Sequence, residues 1–250
     1  MFGENPANAF EPFRRVLRDI RTLGRLPALT INLMFSATRG NDPFYARLVE
    51  EFYAETRKRH RRFPLSRHWR WGVALCVLPG TFDEYFMAIE AAGRRNCKKA
   101  LRLGYRCERI RHNDHLAAMA AIHRSADVRQ GPMPAHLLAE AVQPHDDPPS
   151  RTNVHDYPYF GILRGDQLVA YSGNLVSGEV FMIEQLYGHA QHHADGVVPL
   201  LIVEMARYAL AHYPRVKYYA DEMYFGAGET MRRFKRKFGF VPCKVSWMLG

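Results

Sequence analysis

The stretch from Glu179 to Phe240 constrains the fold more than any other part of the chain. It reads EVFMIEQLYGHAQHHADGVVPLLIVEMARYALAHYPRVKYYADEMYFGAGETMRRFKRKFGF. An apolar run rich in β-forming residues, Val180 to Tyr187, meets a small polar loop, Gly188 to Gly196. A helix-period run follows, and then a short strand, Val216 to Ala220. Strand–helix–strand order of this kind places the two strands parallel, with a right-handed crossover. The loop before the helix leaves backbone N–H groups at a helix N-terminus, where an anion can bind. One stretch therefore implies a sheet core, an anion-binding corner and a basic last helix.

The rest of the chain must supply the other layers. Its 250 residues suggest one large domain or one and a half, and their 47% hydrophobic content is enough for a sizeable core. No run approaches the ~20 apolar residues of a membrane span. The N-terminus, MFGENPANAF, lacks the basic-then-apolar signature of a signal peptide, so a soluble, cytoplasmic protein is expected. The net charge of +10 favours a polyanionic ligand or partner: a nucleotide cofactor, RNA or an anionic membrane surface. Cys76, Cys97, Cys107 and Cys243 form no CxxC pair, so reduced, mostly buried thiols are expected and no metal site.

From Phe10 to Leu26 the apolar positions Phe13, Val16, Leu17, Ile20 and Leu23 make one helical face, with Arg14, Arg15, Arg18, Arg21 and Arg25 opposite. Such a helix suits a membrane, RNA or a partner, or is the solvated face of a packed helix. Pro27 to Asn41 is apolar and then turn-like. Asp42 and Pro43 open a second helix, to about Arg59, which ends in the basic run TRKRHRRF. With Arg67, Arg70, Phe63, Trp69 and Trp71 nearby, that run is either solvated or a phosphate-backbone contact. Residues 1–70 are thus expected to form a basic helical extension packed on a core domain, 71–250. Within the latter, Trp71 to Leu78 reads as a strand, and Thr81 with Glu84 as a capping box. Gly104 ends the helix that follows, and Tyr105 to Ile110 is a strand. Asn113 or Asp114 caps a helix through about His123. Asp127 to Ser150, rich in proline, is irregular apart from a short helix, Ala135 to Val142, and fits either a loop beside an active site or a linker. Phe160 to Leu163 and Leu168 to Leu175 are joined across Arg164-Gly165-Asp166, and a second tight turn, Val176 to Gly178, leads into the opening strand. FVPCKVSWML reads as a final strand.

This order of elements, from Tyr105 to Gly250, resembles the GNAT (Gcn5-related N-acetyltransferase) superfamily. FKRKFGF, Phe234 to Phe240, is similar to the F-K-x-x-F-G-F phrase that ends the last helix of GNAT proteins and of Fem-type peptidoglycan aminoacyl ligases. RRNCKKALRLGYRCERI also resembles the entry to a Fem-type catalytic domain. The resemblance implies an α/β (α+β) fold with a mixed, mostly antiparallel central sheet, flanking helices and an N-terminal helical extension. It implies an acyltransferase whose leading donor is acyl-coenzyme A, as a co-substrate, with aminoacyl-tRNA, the donor of Fem enzymes, as the runner-up. The acceptor would be the amine of a small molecule or peptide. The usual Q/R-x-x-G-x-G/A pyrophosphate loop is here Gln191, Ala194 and Gly196, with Ala194 in place of the first glycine. Leu186, His192 and Val197 complete the expected donor corner, and Arg232 and Lys235, with Arg233, Arg236 and Lys237, would face a 3′-phosphate or a tRNA backbone. Glu184 is the candidate general base, against a strand glutamate paired with an arginine. Tyr187 lies beside it on the central strand. Asp221, Glu222 and Tyr224 follow the second parallel strand, Tyr224 being the candidate acid with Tyr218 and Tyr219 as rivals, against plain aromatic packing. His192 and His193, as neighbours, point apart and are unsuited to joint metal ligation. A non-catalytic RNA- or membrane-binding protein on the same fold is the competing reading.

Overall fold

The computed structural model describes residues 24–38, 42–59, 67, 69–128, 133–139, 141–146, 148, 151–225 and 227–250. The basic helix expected from Phe10 lies outside these residues, save for a turn at 24–26, as does most of the basic run after Lys58. A single sheet of nine strands runs in the order β1-β9-β2-β8-β7-β6-β5-β3, with β4 (His155–Asp156) on β6. The strands are β1 (Ala28–Asn32), β2 (Trp71–Val77), β3 (Tyr105–Ile110), β5 (Tyr159–Arg164), β6 (Gln167–Ser177), β7 (Val180–Gly188), β8 (Tyr218–Met223) and β9 (Val241–Met248). The pairs β7–β8 and β1–β9 are parallel and the remainder antiparallel. The mixed, mostly antiparallel sheet and the parallel crossover expected from sequence are both present.

The helices are α1 (Pro43–Arg57), α2 (Phe82–Ala88), α3 (Ala91–Arg102), α4 (Leu116–Arg124), α5 (Ala135–Ala139), α6 (Val197–His212) and α7 (Glu229–Lys237). Successive strand residues face opposite sides, so each strand feeds two layers. Phe181, Ile183 and Tyr219 pack with Tyr85 of α2, Cys97 of α3, Leu200 of α6 and Phe238 after α7. Val180, Met182 and Ala220 pack on the other face with Val49 and Phe52 of α1 and Ile31 of β1. On that same face α4 buries Met119 and Ile122 against Tyr159, Leu163 and Tyr171. All four cysteines are free, and Cys76, Cys97 and Cys243 are buried, their thiols raised mainly by burial.

Two local differences from the sequence reading have physical causes. Pro27 to Asn41 holds a strand, β1, because Asn32 meets the β6–β7 turn: the Glu179 amide donates to the Asn32 carbonyl (3.0 Å) and the Asn32 amide to the Glu179 carboxylate (2.9 Å). Gly178, at φ +54°, permits this approach, since a Cβ there would sit 2.4 Å from the Asn32 oxygen. The sheet thereby takes in a strand from the first 70 residues. The helix expected after Thr81 is broken in two, the capping box starting α2 as expected and an extended Ile89 ending it before α3. Among the described residues no helix is long and apolar enough to cross a membrane, and no group of three or more His, Cys, Asp or Glu is placed to hold a metal ion.

Candidate active site

The parallel strands at the centre of the sheet part company. β7 and β8 pair from Val180↔Tyr218 to Ile183↔Asp221 and no further. β7 continues to Gly188 paired with β6 alone, leaving its other edge open. Each strand carries an extra residue at this level. Gly173 faces Gln185 while Asn174 faces Ile183, so Glu184 is the bulged residue of β7. Ala220 faces Leu75 while Met223 faces Val73, so Asp221 and Glu222 together oppose Ala74. A bulge bends its strand and re-aims side chains. Glu222 absorbs the bend at φ +46°, a left-handed conformation costing ~1 kcal/mol in a residue with a Cβ.

The two bulges place Glu184 and Glu222 in one cleft of about 620 Å³ between the sheet and α1, with Phe52, Trp69 and Tyr157 among its walls. The Tyr157 hydroxyl donates to Glu184 Oε2 at 2.5 Å. Glu184 reaches cleft solvent yet is surrounded by protein. That enclosure raises its carboxyl above the ordinary value of 4.5, and the Tyr157 hydrogen bond offsets part of the rise. Glu222 is raised too, by burial first and then by Asp221 beside it. Tyr157 is itself raised by burial and by Glu184, so it stays a protonated donor.

A second cleft, of about 610 Å³, adjoins the first and shares Leu48 and Tyr157 with it. Arg47, Arg111, Arg151, His112, Tyr159 and Gln185 line it. His145 closes one side by stacking on His112, with ring centroids 4.1 Å apart. Asn113, expected as a helix cap, instead clamps the His145 backbone: its amide donates to the His145 carbonyl (2.7 Å) and its oxygen accepts from the His145 N–H (2.9 Å). The irregular segment before Ser150 thus leans on the site. Behind the cleft Arg109 makes a two-pronged ion pair with buried Asp156 (2.7 and 2.8 Å), which also accepts from Tyr213 (2.8 Å).

The expected donor corner at the start of α6 is differently built. Residues Ala190–Asp195 wind into a 3-10 helix rather than an open loop. The Tyr105 hydroxyl donates to Asp195 (2.8 Å) and lies 2.7 Å from His192 Nδ1, while Lys99 donates to the Ala194 carbonyl (2.7 Å). His193 turns back to the Gly188 carbonyl (2.9 Å), away from His192. Gly196, at φ +87°, lets the corner close on α3, where a Cβ would sit 2.5 Å from the Asn96 carbonyl. Val197 and Val198 follow as the first helical residues, and Pro199 has no N–H to offer. Gln191 is exposed, and its amide is met by the His189 ring (3.4 Å).

The other sequence candidates fall apart from Glu184. Asp221 and Tyr224 belong to the opposite, α6–α7 face and are buried. Asp221 is raised by burial, opposed by Lys235, whose ammonium lies 3.4 Å from its carboxylate and also donates to the Asp221 carbonyl. Lys235 is 3% exposed, so it neutralises this buried acid and does not face a phosphate. Arg232 donates to the Ala227 carbonyl (2.9 Å), and Arg233 and Arg236 are exposed. Tyr219 is a core residue bonded to the Ile202 carbonyl (3.2 Å), and Tyr218 packs on the α1-side cluster. Leu186 packs toward α6, whereas Tyr187 turns to the α4 side, against His123 (4.8 Å) and Tyr171 (5.6 Å). Tyr157, Tyr159, Gln185 and Arg47 were not legible as site residues. The one signal for the two tyrosines was the Tyr-Pro-Tyr step that opens the antiparallel meander.

No family model matches the chain, and no curated protein matches it by sequence. Solved structures do match. FemX superposes with a TM-score of 0.51 at 10% identity, over 69% of this chain and 59% of FemX. The fold is GNAT-like. L-PGS from Bacillus licheniformis matches with a TM-score of 0.42 at 10% identity, over 68% of this chain and 59% of that one. A tandem GNAT protein of the clavulanic acid biosynthesis pathway gives 0.41 at 13% identity, over 70% and 50%. The chain therefore spans only about half to three-fifths of the length of the proteins it resembles.

Proposed function

We propose that the protein is an N-acyltransferase whose acceptor amine reacts in the cleft beside Glu184. The observation that carries this reading is the pair of bulges that opens the β7–β8 wedge and sets Glu184, with a raised carboxyl, at its mouth. A general base works best with a pKa moved toward the working pH. Glu184 takes the proton of the attacking amine, and Tyr157 holds the carboxylate in place. A backbone N–H on the open edge of β7, near Gln185 and Leu186, donates to the carbonyl oxygen as it becomes an oxyanion. The leaving oxygen or sulfur takes a proton from a water that the protonated Glu184 reprotonates in turn, so the proton lost by the amine ends on the leaving group and the carboxylate is restored.

For the donor, an aminoacyl ester of tRNA is the better fit. The +10 charge suits a polyanion, and the α6 corner is engaged by its own Asp195, Lys99 and Tyr105. Acyl-coenzyme A is the second reading, favoured by the Gln191-to-Gly196 spacing at a helix N-terminus with Lys99 close by. Thermal shift with each donor separates them. Stabilisation by aminoacyl-tRNA that fades steeply with salt, and none by millimolar coenzyme A, is the expected result. Stabilisation by coenzyme A alone would reverse the choice of donor. Binding of tRNA without acyl transfer to any amine would leave a non-catalytic RNA-binding protein instead.

A further inference from the structure

Two clefts of opposite charge meet at Tyr157. In a chain of net charge +10, the one at the wedge is lined, among the described residues, by Glu51, Glu55, Glu184 and Glu222, with Lys58 opposing and already paired to Glu55. Its neighbour is lined by Arg47, Arg111, Arg151 and two histidines, with Arg109 engaged by Asp156 and Asp146 as a further acid. At their junction Tyr159 lays its ring over Gly173, the residue opposite Gln185 at the bulge, where a Cβ would meet the ring at 2.8 Å. Tyr159 is 7% exposed, and its hydroxyl lies beside that of Tyr157, which is directed to Glu184.

Each cleft alone has the volume of a small-molecule site. An amine needs only the acidic one. From the pairing we infer that the acceptor is a zwitterion: an amine carrying a phosphate or carboxylate on the same molecule. Its amine docks as an ammonium between Glu184 and Glu222, and gives up one proton to solvent before it attacks and yields the next to Glu184. Its oxyanion sits among Arg47, Arg111 and Arg151, whose planar guanidinium forks match such groups. Tyr157 and Leu48 form the ridge over which the linker between the two ends passes. Binding at both ends fixes the amine against Glu184 and rejects amines that lack the anion.

This inference rests on the acyltransferase reading for its chemistry but not for its binding test. The full chain is titrated calorimetrically with ω-aminoalkyl phosphates and ω-amino acids of graded length, against alkylamines and alkyl phosphates of equal length. At a matching length the bifunctional ligand should bind at least ~10-fold more tightly than either control. Glu222→Gln should abolish its advantage over the alkyl phosphate, and Arg47→Gln with Arg151→Gln its advantage over the alkylamine. The phosphate and carboxylate arms identify the anion. If no length outperforms both controls, the zwitterion is wrong, even where Glu184-dependent acyl transfer to plain amines stands. Bifunctional binding with those variant effects, but no acyl transfer from any donor, keeps the site and removes the enzymatic reading.

Discussion

The corner at the start of α6 and the cleft at the parting of β7 and β8 are both gaps beside the same central strand, and they differ in how their polar groups are met. At the corner His192 and Asp195 share Tyr105, Lys99 caps a loop carbonyl, and His193 folds back on Gly188. At the cleft a carboxyl is raised by its surroundings and a glutamate is held in a left-handed conformation. Structural corners use up their polar groups, whereas sites keep some in reserve. On the proposed reading the reaction lies at the bulges, and the corner is a structural joint of the crossover.

Substitutions can break that contrast, and the largest effect is expected at Glu184. Glu184→Gln should lower kcat/KM for acyl transfer by ~10²–10⁴, with the fold intact by circular dichroism. Next is Lys235→Met, which strands Asp221 as a buried charge. Urea titration near neutral pH should show a loss of ~3–5 kcal/mol, and recovery of part of it on adding Asp221→Asn. Tyr157→Phe removes the hydrogen bond that lowers the Glu184 carboxyl, so the acid limb of kcat/KM should move to higher pH. Glu222→Gly relieves the left-handed strain and should raise stability by up to ~1 kcal/mol while weakening amine binding. The smallest effect belongs to the corner: Asp195→Asn should change kcat/KM by about twofold or less, the scale of an exposed contact. A large loss there would move the reaction to the corner and undo the comparison.

Local chemistry was legible in the sequence where neighbours along the chain decide it. The Thr81–Glu84 capping box and the Gly165 hairpin formed as read. So did the FKRKFGF ending, for a reason the sequence could not supply. Gly239 at φ +84° closes α7, with the Phe240 amide bonded to the Lys235 carbonyl (3.1 Å) and Phe238 and Phe240 in the core. The phrase is a helix stop and, through Lys235, one half of a buried ion pair. Glu184 was legible as a break in an apolar run. The register that makes it a bulge was not, because it depends on which residues of β6 and β2 lie opposite. Tyr157 and Tyr159 lie far from Glu184 in sequence and meet it only through the sheet, and Arg47 is brought to the adjoining cleft by α1.

The central claim is that Glu184 is the base. Its raised carboxyl makes the sign of a pH test definite: below its pKa the base is protonated and inactive, so activity should fall as pH drops through a value above 4.5. For stability the sign runs the other way. A raised folded-state pKa favours the fold below 4.5, and that contribution fades as pH rises through the raised value, so Glu184→Gln should not destabilise the protein near neutrality. The measurement is the single-turnover rate of acyl transfer against pH in the natural protein and in Glu184→Gln. The account predicts an acid limb above pH 4.5 in the former and a low, flat rate in the latter. The same limb at comparable rate in both would contradict it.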